Sequence, residues 1–281
     1  MTGALEQAQK AGSQRGLTLC HQALGAVQYL LGEWDKSFIS YKQSIDLARQ
    51  VGSVFGETLG VQRLALLETK LGLYDEAHNR LLQAHKTARE SDSTMVRLHS
   101  TGRVLSTLIQ NRLEAGDITQ AVNYVAEGWA AQQEAGECIS CDVLIYPGVV
   151  PVYLALGDLE QAKWACDKAR ETAASFGSRA WTAVALYLQG LLAKSTGDWT
   201  ESLHYFNQAL EMFDSFGQPY DAALSKEGLF DVNCQADSDL LDGQSASLLE
   251  QATNVYARLG AVSDEKRARL KLDNFNASST R

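Results

Sequence analysis

One short phrase, written five times at nearly equal spacing, decides what this chain can become. It reads Gly32-Glu33-Trp34-Asp35-Lys36-Ser37, Gly72-Leu73-Tyr74-Asp75-Glu76-Ala77, Gly116-Asp117-Ile118-Thr119-Gln120-Ala121, Gly157-Asp158-Leu159-Glu160-Gln161-Ala162 and Gly197-Asp198-Trp199-Thr200-Glu201-Ser202. The leading glycines lie 40, 44, 41 and 40 residues apart. A period in that range marks a stack of supersecondary units, because one such unit cannot bury its own apolar face without a neighbour. On either side of the first marker, Leu17, Cys20, Leu24, Val27 and Leu31, and then Phe38, Tyr41, Ile45 and Ala48, recur at three- and four-residue steps, the stripe of an amphipathic helix. A second set of helix-ending positions, Gly52, Asp92, Gly136, Gly177 and Gly217, follows each first glycine by 20 residues. Each unit therefore reads helix, loop, helix, loop. Asp92 is expected to take the left-handed cap conformation that its glycine counterparts favour.

The pattern divides the chain into units 13–52, 53–92, 93–136, 137–177, 178–217 and 218–260. Ala4-Leu5-Glu6-Gln7-Ala8 aligns without a gap on Ala209-Leu210-Glu211-Met212-Phe213, so residues 1–12 read as the second helix of a preceding repeat and the chain as a fragment of a longer array. The third unit carries four extra residues around Ser93-Thr94-Met95-Val96, which a longer first helix or a wider loop would absorb. Pro147 and Pro151 fall inside the first helix of the fourth unit, which should be kinked or begin late. In the sixth, Leu240 stands in place of the loop glycine. Residues 261–273 form a charged capping helix, with Asp264 to Leu272 as its body, and 274–281 a flexible tail.

Composition excludes several classes. With a net charge of −9 the chain has no face that neutralises a phosphate backbone, which argues against direct nucleic-acid binding. The longest apolar run, Val143 to Leu156, is too short to span a bilayer, and no secretory leader is visible. Five cysteines, an odd number scattered along the chain, make no disulfide framework, and a cytoplasmic location follows. No phosphate-binding G-x-x-x-x-G-K-[ST] loop, dinucleotide loop or G-x-S-x-G elbow is present, so the chain is not expected to be an enzyme or to carry a cofactor.

Aligned on the loop glycine, the first helices place Leu24, Leu64, Leu108, Val149, Gln189 and Val232 at one position and Gly25, Ala65, Ile109, Val150, Gly190 and Asn233 at the next. The second helices place small Ser37, Ala77, Ala121, Ala162, Ser202 and Ser245, then large Tyr41, Leu81, Val125, Cys166, Phe206 and Leu249, then small Ser44, Ala84, Gly128, Ala169, Ala209 and Ala252. This order resembles the tetratricopeptide repeat. The period of about 40 is similar to the long variant found in the C-terminal regions of bacterial signalling ATPases and MalT-type transcriptional regulators. The resemblance implies an all-α, right-handed α-solenoid of about six antiparallel helix pairs. It further implies a sensing or oligomerisation region of a bacterial regulator, although neither an ATPase core nor a DNA-reading helix lies in this sequence.

In such a superhelix the first helices line the concave wall, where peptides or small effectors bind. By this template the wall carries Gln22, Tyr29, Gln62, Arg63, Arg103, Gln110, Tyr187 and Lys194, with Leu144, Leu154 and Leu191 between them. Arg63, Arg103 and Lys194 could donate to a peptide carboxylate. The expected function is thus non-catalytic binding of a protein, a peptide or a small effector, with homo-oligomerisation through the terminal repeats as a further use. A plain protein–protein scaffold is the alternative. Cys138-Ile139-Ser140-Cys141 is a candidate redox pair, and a third reading centres the protein on these thiols or on a metal they hold. Metal is disfavoured because no second C-x-x-C or C-x-x-H completes a ligand set. His78 and His85, seven residues apart, are expected in solvent on one helix face.

Overall fold

The computed structural model describes residues 2–136, 138–236 and 243–279, and within them the chain is all helix and connecting turns, with no strand. The helices are α1 (Thr2–Lys10), α2 (Gln14–Leu30), α3 (Trp34–Gln50), α4 (Val54–Lys70), α5 (Tyr74–Arg89), α6 (Thr94–Glu114), α7 (Ile118–Ala135) and α8 (Ile139–Ala155). They continue as α9 (Leu159–Phe176), α10 (Arg179–Thr196), α11 (Trp199–Phe216), α12 (Pro219–Ala236), α13 (Gly243–Leu259) and α14 (Val262–Ser279). Two compact units divide the chain, Met1–Val152 and Tyr153–Arg281. In the first, α2 pairs with α3, α4 with α5 and α6 with α7, while α2, α4 and α6 also pack side by side. In the second, α10 pairs with α11 and α12 with α13, α14 covers α13, and α10 lies beside α12.

The recurring phrase shows how local chemistry makes each corner. At the fourth copy, the Gly157 N–H donates to Leu154 O (3.1 Å) and the Asp158 N–H to Tyr153 O (3.0 Å), the paired bonds that close a helix through a left-handed residue. Gly157 holds φ +71°, a conformation an L side chain resists. The next residue then opens the following helix: Asp158 Oδ1 accepts from Gln161 N at 3.1 Å. Asp117 and Asp198 do the same for α7 and α11, and Ser13, Ser53, Ser93 and Ser178 cap α2, α4, α6 and α10.

Between paired helices the large and small positions compensate each other in volume. A Cβ on Gly25 would lie 2.6 Å from the Tyr41 ring, and one on Gly190 or Gly228 would lie 2.7 Å from Phe206. The ring of Phe206 thus sits between two glycine backbones, and Phe206 itself is fully buried. Where the first helix carries larger Ile109, the second carries smaller Val125, so aromatic residues appear only opposite glycine. The small position after the loop adds a hydrogen bond: Ser37 Oγ donates to Gly25 O (2.8 Å) and Ser202 Oγ to Gly190 O (2.9 Å).

Three expectations change in detail, and one open alternative, the longer first helix of the third unit, is the one found. Among the described residues no residue other than glycine has positive φ, so Asp92 does not act as a left-handed cap; α5 ends at Arg89 and the chain turns earlier. The extra residues of the third unit lengthen α6 to 21 residues, against 17 in α2 and α4. The helix holding Pro147 and Pro151 neither starts late nor breaks: α8 runs from Ile139 to Ala155. The stretch 274–281 is not a loose tail as a whole, since α14 continues to Ser279, where Phe275 meets Phe230 edge-on with ring centroids 5.7 Å apart. Leu240 lies outside the described residues.

Candidate functional site

In the second unit, first-type helices α10, α12 and α14 run side by side and leave a cleft of about 580 Å³. Its walls carry Trp199, Phe230 and Phe275 together with Lys194, Asp231 and Lys271. Lys194 Nζ lies 2.8 Å from Asp231 Oδ2 and Lys271 Nζ lies 2.6 Å from Oδ1, so two ammonium groups share one carboxylate. Lys271 also reaches Glu227 Oε1 at 2.8 Å.

Behind the cleft the buried Glu227 carboxylate takes a two-pronged bond from Arg267, Nε to Oε1 at 2.8 Å and Nη2 to Oε2 at 2.7 Å. Tyr256 OH donates to Oε2 at 3.0 Å. Burial alone would raise the Glu227 pKa, but the hydrogen bonds and charge of Arg267, and then Lys271, outweigh it and hold the carboxyl at about 2. The charge therefore survives burial because it is paired on every side. Tyr187, expected on the wall, is turned into this core. Its ring centroid lies 5.6 Å from that of Phe206, and burial, followed by the charge of Glu227, pushes its hydroxyl above the usual range. Leu191 packs on the same Phe206 cluster.

In the first unit the predicted wall residues mostly join one repeat to the next. Gln22 is buried and donates from Nε2 to Gly56 O (2.8 Å); Gln62, also buried, donates to Thr107 Oγ1 (2.7 Å). Arg63 Nη1 donates to Gln22 O at 3.0 Å, and Gln110 turns back to Ser106 O at 3.5 Å on its own helix. Tyr29 stacks on Trp34, rings 4° from parallel with centroids 5.8 Å apart. Neither Arg63 nor Arg103 has a carboxylate within ion-pair distance among the described residues. Nor are the two histidines bare: His78 Nε2 lies 2.9 Å from Tyr124 OH, and burial lowers the pKa of both His78 and His85.

The thiol motif opens α8. The Cys138 carbonyl accepts the Cys141 N–H (2.8 Å) and the Asp142 N–H (2.9 Å), which makes Cys138 the capping residue and places Cys141 one turn inside. Asp142 Oδ2 accepts the Cys138 N–H at 3.3 Å while its Oδ1 accepts from Gln132 Nε2 at 2.8 Å. Arg103 Nη2 donates to the Ser140 carbonyl (3.2 Å) and hydroxyl (3.3 Å). Into this turn comes a residue that the local motif does not contain: His99 of α6, whose Nδ1 lies 3.1 Å from Cys141 Sγ and 3.3 Å from Cys138 Sγ. Burial pushes the Cys141 thiol up to about 11. For Cys138, burial works the same way but the bonds from Ser140 and Cys141 prevail and lower it. All five cysteines are free thiols, and buried Cys166 donates to Leu188 O at 3.5 Å, as a core residue would.

The sequence signal for these partners was present, but at the scale of the repeat. His99 precedes Cys141 by 42 residues, Asp231 precedes Lys271 by 40, and Glu227 precedes Arg267 by 40. Side chains one period apart on successive first helices are neighbours, so a search for complementary groups at that offset finds them.

Paired helices at a period of about 40, small residues set against large ones and side-by-side first helices define an all-α repeat protein of the tetratricopeptide type. Residues 152–215 match the tetratricopeptide repeat family model directly. The fold is similar to that of BtubC (BKLC) from P. vanneervenii, with a TM-score of 0.51 at 15% identity over 88% of this chain and 92% of that one. It is similar to a Rap protein solved in complex with competence and sporulation factor, TM-score 0.61 at 15% identity, over 95% of this chain and 66% of that one. A third likeness is to the Signal Transduction ATPase with Numerous Domains (STAND) protein with a tetratricopeptide repeat sensor from Pyrococcus horikoshii. Its TM-score is 0.61 at 15% identity, and the match covers 93% of this chain and 38% of that protein. No curated protein matches the chain in sequence. Among the described residues no helix is long and apolar enough to cross a membrane.

Proposed function

We propose that this chain is a non-catalytic binding module of a larger cytoplasmic bacterial regulator, and that its first-helix face receives a peptide or a partner protein through an anionic group. The observation that carries this reading is the α10–α12–α14 cleft, where Lys194 and Lys271 share Asp231 beside Trp199, Phe230 and Phe275. Lys194 engages Asp231 alone and Lys271 engages Asp231 and Glu227, so the ammonium groups keep N–H donors for an incoming carboxylate, and the aromatic walls supply apolar area for the side chains that flank it. Two similar folds support the reading: the Rap protein was solved with a bound factor, and the STAND protein's repeats are described as a sensor. Small effectors with a carboxylate or phosphate belong to the same chemistry.

The test is calorimetric titration with a peptide library carrying free or amidated C-termini, alongside thermal melting. Binding to the folded form raises the melting temperature by mass action. The expected result is a ligand that needs its free carboxylate and loses about tenfold in affinity, roughly 1.4 kcal/mol, on Lys194→Ala. Equal binding of amidated peptides, or affinity indifferent to both Lys194→Ala and Lys271→Ala, would overturn the assignment of the cleft.

A further inference from the structure

We propose that His99, Cys138 and Cys141 form a zinc site, in which the imidazole Nδ1 and two thiolates fill three of four tetrahedral positions and the fourth stays open to water or to a donor from outside the chain. This inference is independent of the cleft and its ligand.

The donor set is the first reason. Nitrogen and two sulfurs are the ligands zinc takes, and these three atoms lie within 4.8 Å of one another. Around a tetrahedral zinc, with Zn–S near 2.3 Å and Zn–N near 2.0–2.1 Å, a nitrogen and a sulfur stand about 3.5 Å apart. The two His99–sulfur separations are 3.1 and 3.3 Å, so the metal enters by parting them a few tenths of an ångström. Geometry is the second reason. Cys138 and Cys141, three apart at the first turn of α8, present both sulfurs on one side of the helix, while His99 arrives from α6 and points at both. Charge is the third. Two thiolates neutralise a zinc ion, and no carboxylate needs to enter the donor set for the site to balance.

The nearest further candidate, Asp142, has both oxygens engaged by Cys138 N and Gln132, which leaves the fourth position open. No other cluster of three such ligands lies together among the described residues. Sites with three protein ligands exchange their fourth, unlike the closed four-ligand sites of zinc fingers. A bound ion would pin the start of α8 to α6 and offer a coordination point to a partner.

Titration of the reduced full chain with Co2+, a visible-absorbing stand-in for zinc, tests this. The expected outcome is one Co2+ per chain with thiolate charge-transfer and tetrahedral bands that Zn2+ abolishes. His99→Ala and Cys138→Ser should each weaken binding at least tenfold, and joint replacement of Cys20, Cys166 and Cys234 by Ser should leave it unchanged. X-ray absorption at the zinc edge of the unaltered protein, which needs no variant to fold, should show two sulfur neighbours and one or two lighter ones. A shell without sulfur, bands that survive Cys138→Ser, or oxidation of the Cys138–Cys141 pair at the same rate with and without Zn2+ overturns the proposal.

Discussion

Glu227 is the residue whose perturbation reads the stacking of the second unit most directly, because its carboxylate ties α12 to α13 through Tyr256 and to α14 through Arg267 and Lys271. Its folded pKa of about 2, against an ordinary 4.5, corresponds to roughly 3 kcal/mol favouring the folded, charged form. The folded value lies below the unfolded one, so the unfolded chain takes up the proton first. The contribution is therefore full above the unfolded value and falls as pH drops toward the folded one, with roughly 2 kcal/mol gone by pH 3. Glu227→Gln removes the charge and keeps the shape, and it deprives Arg267 of one of its two carboxylate partners; the other, Asp264, remains 2.6 Å away. We expect a loss of roughly 2–3 kcal/mol at neutral pH, at the low end for a broken buried pair, since Arg267 keeps that partner and part of its hydration. An array of repeats need not unfold in one step, so the assay is hydrogen exchange of peptides from α12, α13 and α14 in both proteins across the acid range, beside urea unfolding by circular dichroism. Carboxylates that share no partner with Glu227 cancel in the difference between the two, whereas Asp231 and Asp264, which share Lys271 and Arg267 with it, do not. That difference should shrink as pH falls from 6 to about 3. A difference that stays constant over this range, or that is absent at neutral pH, would refute the reasoning.

The volume code makes two further predictions. Gly190→Ala should cost about 1–3 kcal/mol by urea unfolding, because its methyl would press into the Phe206 ring at 2.7 Å, and adding Phe206→Leu should return part of the loss; additive effects of the two changes would mean that they do not share one space. Ala162→Trp, at a position with no exposed surface, should lower the melting temperature by several degrees; an unchanged value would show that the repeat register is misplaced there.

What the sequence made legible depends on the distance over which each determinant acts. The corners were legible because their chemistry is local: a glycine at φ +71° and an aspartate one residue later specify the end of α8 and the start of α9 without reference to anything else. The full length of the proline helix was not legible, for the opposite reason. Each proline removes one N–H, yet burial of Val143, Ile145, Val149, Val150 and Val152 holds α8 together across both. The extension of α14 past residue 273 was not legible likewise, since Phe275 on Phe230 joins residues in different helices.

The candidate site was harder to read because a helical stripe says which residues share a face but not whether that face meets solvent or the next helix. Gln22 and Gln62 satisfy the template for a ligand-lining wall, and both are buried in hydrogen bonds to the neighbouring first helix. Polarity on the first-helix face therefore carries two messages, and the offset of one repeat separates them. A polar residue whose complement stands about 40 positions along the chain is holding the stack together, as Glu227 does with Arg267. A ligand must be met by groups whose partners leave donors over. Lys194, which meets only Asp231 among the described carboxylates and lines an open cleft, has that surplus; Lys271, held by both Asp231 and Glu227, serves the stack as well, whereas Gln22 and Gln62 are satisfied. Recognition in such an array belongs where the pairing between successive repeats is uneven.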